Sequence, residues 1–249
     1  MTETRFDLPG FKGSLIHPDD GAYDEARQVF NGMIDRRPVL IARCASADDV
    51  AAVVRLAVEE DIPLSVYGGG HGVTGSAVVD AGICLDLRGM KGIEVDAEAQ
   101  RVRAEAGLTW GEFDAATQEH GLAVTGGRVT TTGISGLALG SGSGWLERAL
   151  GFTCDNLTAA EVVTADGSQV VASADENADL FWGLRGGGGN FGVATTFEYR
   201  LHPLTEVVAG LVAYPFDAAK DVLRFFRDYT AGPLSDDLMV LGALVHAPE

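Results

Sequence analysis

The chain has 249 residues, 46% of them hydrophobic, and a formal net charge of −18. That is enough apolar material for one large domain or two small ones, and the charge argues against nucleic acid and anionic lipid as partners, because either needs Lys and Arg to displace counterions. No apolar stretch reaches the roughly 20 residues of a membrane-spanning helix, and MTETRFDLPGFKGS lacks the basic end and apolar run of a signal peptide, so a cytoplasmic location is the expectation.

Residues 1–36 carry few signals beyond a short helix around AYDEARQVFN. RPVLIARC reads as a strand, and Ser46 as the N-cap of a helix over SADDVAAVVRLAVEED, with Val50, Val53, Val54, Ala57 and Val58 on one face. The strand IPLSVYG then completes a βαβ unit. After a glycine loop, ICLDL, GIEVD and RVRAEAG have strand character, with Cys84 inside the first. TWGEFDAATQEHG has helical spacing closed by a glycine, and LAVTGG returns to a strand.

AAEVVTADGSQVVAS reads as a hairpin about Asp166-Gly167, ENADLFWGLRG as a short helix and FGVATTFEYRLHP as a long strand. Beyond His202-Pro203 a strand VVAGLVAYP, an amphipathic helix DAAKDVLRFFRDYTAG and a strand DLMVLGALVHA follow. The last is apolar on both faces, and an uncovered apolar strand invites aggregation. The expectation is therefore that a third region is cut short here, or that an oligomer partner or second chain covers the strand. Cys44, Cys84 and Cys154 are widely spaced and form no C-x-x-C pair, so they read as packing thiols, with neither a metal site nor a disulfide indicated.

Three segments are glycine-rich: YGGGHGVTG, TTTGISGLALGSGSG and RGGGGNFGV. The first and third contain a literal G-x-G-x-x-G, at Gly70, Gly72 and Gly75 and at Gly187, Gly189 and Gly192. The dinucleotide fingerprint needs a helix directly after it to receive the pyrophosphate, and here both segments lead towards strands. What remains is the property such loops share: consecutive N–H groups, unshielded by Cβ atoms, can converge on phosphate oxygens. Flexible turns are the alternative. His71, set among the glycines, reads either as a reactive nitrogen beside a ligand or as a packed side chain.

In order and spacing, the blocks PLSVYGGGHGVTGSAVVDAGICLDLRGMKGIEVD, GISGLALGSGSGWLERALGFTCDNLTAAEVVTADG and DLFWGLRGGGGNFGVAT resemble the PCMH-type FAD-binding domain of the vanillyl-alcohol oxidase superfamily. Within it they are most similar to the berberine-bridge-enzyme-like and 6-hydroxy-D-nicotine-oxidase-like flavoprotein oxidases. The similarity runs from about Arg37 to Pro203. It implies an α+β fold, two α/β subdomains with FAD between them, plus the start of a substrate domain. The implied division is an N-terminal extension (1–36), the FAD-binding domain (37–204) and the beginning of a truncated substrate-binding domain (205–249).

The resemblance also implies a set of cofactor-binding residues. Tyr67, Gly68, Gly69, Gly70 and Gly72 would cradle the pyrophosphate, and His71 would bond covalently to the 8α-methyl carbon of the flavin. Thr131, Thr132, Gly133, Gly136, Gly140, Asn156, Gly192 and Val193 complete it, although the threonines also suit an extended loop. Val129 stands where some members carry a second, cysteine link, and Cys154 lies too far along to replace it, so a single bond through His71 is expected.

The implied activity is an FAD-linked oxidoreductase, an oxidase taking hydride from a C–H next to an alcohol, sugar hydroxyl or amine of a small-molecule substrate, with O2 as acceptor. The alternative is a flavin-binding module without independent turnover, which needs a partner or a missing C-terminal region. No catalytic base is assigned, since in this family such groups come largely from the substrate domain. Asp155 matches a position near the flavin but equally suits a turn. His120 and His202 read as solvated, Trp145 and Trp182 as core, and Arg185 as a partner for a carboxylate.

Overall fold

The computed structural model describes residues 6–245. Its first sheet contains β1 (Ser14–Ile16), β2 (Leu40–Arg43), β3 (Leu64–Tyr67) and β4 (Ile83–Asp86) in the order β1-β2-β4-β3, with α1 (Tyr23–Ala26) between β1 and β2 in sequence and α2 (Ala47–Glu59) between β2 and β3. β2, β4 and β3 are parallel, while β1 runs antiparallel at the edge. The βαβ unit is therefore present, with β4 inserted between its two strands. The register sets Arg43, Asp86 and Tyr67 side by side at the C-terminal ends of the parallel strands, the end at which open α/β sheets bind ligands.

Ser46 caps α2 by accepting a hydrogen bond from Asp49 N at 3.3 Å. Val50, Val53, Val54 and Ala57 are buried, but Val58 is 63% exposed. At 3.6 residues per turn it lies about 80° from the centre of the apolar stripe, beyond the reach of the sheet.

The second half runs through β5 (Ile93–Asp96), β6 (Arg101–Glu105), α3 (Trp110–Gln118), β7 (Leu122–Ala123), α4 (Ile134–Leu139), α5 (Glu147–Leu150), β8 (Leu157–Val163), β9 (Gln169–Ser173), α6 (Ala178–Leu184) and β10 (Val193–Arg200). Five of these strands form an antiparallel sheet in the order β5-β6-β10-β8-β9, and β11 (His202–Pro203) pairs with β7. The β8–β9 hairpin turns through Thr164–Ser168, where Gly167 N bonds Thr164 O at 2.8 Å. Helix α2 packs against β4 on one sheet and against β8 and β10 on the other, so one core spans both. Its largest side chains are Trp110, Phe113, Phe197 and Tyr199, with Phe113 edge-on to Tyr199 at 5.6 Å.

The C-terminal expectations are corrected in part. Helix α7 (Ala219–Thr230) forms, but 204–215 and 238–245 contain no strand, while residues 246–247 of the last expected strand lie outside the described residues. Val208 and Leu211 are almost fully exposed; with no neighbouring strand among the described residues to take their hydrogen bonds, these segments have nothing there to stabilise an extended pairing. Trp145 and Trp182 are not core residues, being 53% and 80% exposed. Trp110 is the buried tryptophan, and Trp145 instead has the Arg128 guanidinium 5.2 Å from its ring centroid.

Cys44, Cys84 and Cys154 are buried and unpaired, as expected of packing thiols; burial pushes the Cys84 thiol up to about 12, leaving it inert. Among the described residues no helix is long and apolar enough to cross a membrane, and no cluster of His, Cys, Asp and Glu could hold a metal ion.

Candidate functional site: three glycine segments around His71

The loop Gly68–Val79 leaves the C-terminal end of β3 and continues into β4 without an intervening helix, which agrees with the exclusion of a dinucleotide fingerprint. It is packed directly on the second glycine segment. A Cβ on Gly69 would lie 2.3 Å from Gly133 N, and one on Gly68 would lie 2.0 Å from Ser135 Oγ. At Gly69 only glycine allows this approach, because the contact there is backbone against backbone. The N–H groups of Gly68, Gly69, Gly70, His71 and Gly72 find no acceptor among the described residues. Consecutive N–H groups left without partners are the donor set of an anion nest, and a buried one such as that of Gly70 calls for a ligand.

Helix α4 links the second segment to the third. It begins beside Gly68 and Gly69; at its other end Leu139 O accepts from Gly188 N at 2.9 Å, and a Cβ on Gly186 would lie 2.7 Å from Ser141 Oγ. Six residues rise roughly 9 Å, so the three segments line one continuous stretch of surface. A Cβ on Gly136, Gly188 or Gly189 would meet nothing within 4 Å, which leaves that stretch open. Gly140 caps α4 through bonds to Gly136 O and Leu137 O. Gly192 and Val193 sit at the start of β10, with Gly192 against Val163 O and Val193 paired with Val163.

His71 is held on three sides. Its Nε2 lies 2.9 Å from Thr131 Oγ1 and its Nδ1 lies 3.4 Å from Thr132 Oγ1. A hydroxyl can donate or accept, so these contacts satisfy either tautomer. The ring also stacks on Phe30, with centroids 4.5 Å apart and an interplanar angle of 18°. The threonine segment is itself fixed by α3, whose Trp110 N and Gly111 N donate to Thr132 O and Thr130 O at 2.9 Å each. Thr109 and Glu112 form a capping box at this end of α3, and Lys91, paired with Glu112, helps hold that carboxyl below its ordinary range against the opposing effect of burial.

Tyr67 and Asn156 sit differently from the glycines. Tyr67 is buried beneath the loop, its hydroxyl donates to Gln28 O at 2.6 Å, and the Arg88 guanidinium lies 3.9 Å from its ring centroid. Arg88 and Arg43 both bond Asp86, a fully buried carboxylate that the sequence reading did not single out. Asn156 donates both amide hydrogens, to Leu150 O and Phe152 O, and accepts from His202 Nε2 at 2.7 Å. His202 is thus half-buried and bonded rather than a free surface residue; burial first, and Arg200 second, lower its pKa. Asp155 acts as a turn residue, accepting from Phe152 N, and Arg185 pairs with it at 3.5 Å.

Residues 38–173 match the family model described as an FAD binding domain. That is more than half of the chain, and the chain belongs to this family. It is 40% identical over 204 residues to (R)-6-hydroxynicotine oxidase of Paenarthrobacter nicotinovorans, covering 82% of this chain and 44% of that one. The crystal structure of 6-hydroxy-D-nicotine oxidase from Arthrobacter nicotinovorans superposes with a TM-score of 0.78 at 40% identity, covering 80% of this chain and 44% of the other. Physcomitrella patens BBE-like 1 gives 0.76 at 28% identity, covering 78% and 43%. The chain therefore spans somewhat less than half the length of these relatives. The fold is the FAD-binding portion of PCMH-type flavoprotein oxidases.

Proposed function

We propose that the chain binds FAD along the three glycine segments, carries it on a single covalent bond to His71, and serves an oxidase reaction. The observation that carries this reading is the run of unpartnered N–H groups from Gly68 to Gly72, with His71 set within it. The residues present fit the group: the Gly68–Gly72 N–H groups suit the pyrophosphate, and the Thr131 and Thr132 hydroxyls orient the imidazole. Gly136 and Gly140 keep the α4 side of the surface free of side chains, Gly133 lets that helix start directly against the Gly69 backbone, and Gly192 and Val193 complete the proposed set from the start of β10. Tyr67 and Asn156 contribute by supporting the loops, since their polar atoms are already engaged. Bound FAD supplies hydride acceptance from a C–H next to an alcohol, sugar hydroxyl or amine, and passes the electrons to O2.

Relatives named as oxidases and FAD-linked oxidoreductases support turnover. They do not favour the alternative of a flavin-binding module without activity. The division into an extension, an FAD-binding domain over 37–204 and the start of a substrate domain after 204 belongs to the same proposal.

The test is to precipitate the purified protein with acid and record its absorbance and mass. Wild type is expected to stay yellow and heavier by one FAD, while His71→Ala loses its flavin to the supernatant. A colourless precipitate from well-folded wild type would sink the covalent reading.

A further inference from the structure

The stretch from Ala26 to Arg36 precedes the region of family resemblance, yet its contacts converge on the loop that carries His71. Phe30 N donates to Gly70 O at 3.0 Å, and Asn31 Nδ2 to Val73 O at 2.8 Å. Arg36 donates to both Gly75 O and Val78 O, at 3.0 and 2.9 Å. Ile34 sits where a Cβ on Gly75 would be, 2.6 Å from its Cγ1. The strand ends that flank the loop bond to the same stretch, Tyr67 Oη donating to Gln28 O and Arg88 Nη2 to Ala26 O. Phe30, 66% exposed, places its ring flat against His71. A phenyl ring so exposed gains little from burial, so the stack itself gives it a reason to lie there.

We propose that this strap is a working part of the cofactor site, with Phe30 as a positioning residue that sets the imidazole plane from which His71 is joined to FAD. The inference rests on the covalent reading above. The two threonine hydroxyls fix where the ring nitrogens lie, but a ring held only at its nitrogens can still rock about the line joining them. The stacked phenyl ring removes that freedom. Joining links one ring nitrogen to the 8α-methyl carbon; nitrogen and carbon each give up one hydrogen, and the two electrons released pass through the ring system to O2, which leaves as hydrogen peroxide.

The experiment uses the 249-residue chain purified free of flavin from riboflavin-starved cells, as wild type, Phe30→Ala, Phe30→Leu and Phe30→Tyr. After FAD is added, acid-stable flavin is followed over time, FAD affinity by fluorescence quenching, and the His71 ring-proton shifts by NMR before addition. The expected result is attachment about tenfold slower in Phe30→Ala and Phe30→Leu, near wild type in Phe30→Tyr, with affinity unchanged. The His71 ring protons, shielded by the phenyl ring in wild type, should move downfield in the first two variants. Phe30→Leu keeps an apolar side chain, so it answers the question if Phe30→Ala fails to fold.

Attachment at the wild-type rate in Phe30→Leu, or unmoved His71 protons, overturns the proposal and leaves the covalent reading intact. A wild-type chain that never forms acid-stable flavin overturns both.

Discussion

An alanine at position 69 places a methyl group where the backbone of the second glycine segment already lies. Its Cβ would sit 2.3 Å from Gly133 N and 2.5 Å from Gly133 Cα, against about 3.5–4.0 Å for relaxed carbon contacts, so the segments must part by more than about 1 Å. Neither can yield by a rotamer change. Gly133 is pinned by its bridge to Thr109 and by the bond from Ile134 N to Leu108 O at 3.0 Å. Overpacking of this kind costs about 1–3 kcal/mol. Because Thr131 and Thr132 directly precede Gly133, the same displacement draws their hydroxyls away from His71, and about 1 Å of misplacement lowers a positioned reaction roughly a hundredfold. Urea unfolding should show Gly69→Ala less stable by about 2 kcal/mol, and its acid-stable flavin should form at a few per cent of the wild-type rate. Wild-type stability with wild-type flavin would refute the claim that these two backbones support each other.

Two carboxylates give opposite expectations. Half-buried Asp114 has no ion-pair partner among the described residues, and burial pushes its pKa from 3.8 up to about 6. A raised pKa means that its stabilising contribution is complete below pH 3.8 and is lost as pH rises through 6. At 1.36 kcal/mol per unit this amounts to roughly 1–3 kcal/mol once partial exposure is allowed for; Asp114→Asn should be more stable than wild type by that amount at pH 8, and the gap should close below pH 4. Paired urea titrations at the two pH values check this, and a pH-independent gap would be evidence against it. Asp86 is fully buried between Arg43 and Arg88, so Asp86→Asn should destabilise by about 3 kcal/mol at neutral pH by leaving two guanidinium groups without their carboxylate. A loss below 0.5 kcal/mol in thermal unfolding would show that the arginines relax freely into water.

What was legible in the sequence was what neighbouring residues decide among themselves. Ser46 and the stripe after it describe α2 because a cap and a 3.6-residue period are local properties, and Asp166-Gly167 marks its hairpin for the same reason. Helix α4 went unread because ISGLAL, flanked by glycines, is a poor helix former in isolation. It is held from outside, by Leu108 at one end and by the glycine loop of Arg185–Gly192 at the other. Trp145 and Trp182 were misplaced because a large apolar side chain argues for burial only on average. The strands expected after 204 failed because pairing needs a partner strand that an apolar run cannot supply by itself.

The site divides along the same line. His71 and its glycines stand out as neighbours in sequence, and so does the family resemblance they carry. Phe30 meets the loop from far along the chain, and Asp86 draws its role from Arg43 and Arg88 beside it; neither has a spelling of its own. Nor does G-x-G-x-x-G as a string decide anything: of the two matches, Gly70 and Gly72 lie in the run of free N–H groups, while Gly192 packs against Val163 O at the start of a strand. What separates them is the neighbouring surface. The first run packs against another glycine backbone, that of Gly133, which brings no side chain to the N–H groups; those groups take no backbone acceptor among the described residues, and donors held in that way favour an anion that brings its own acceptors.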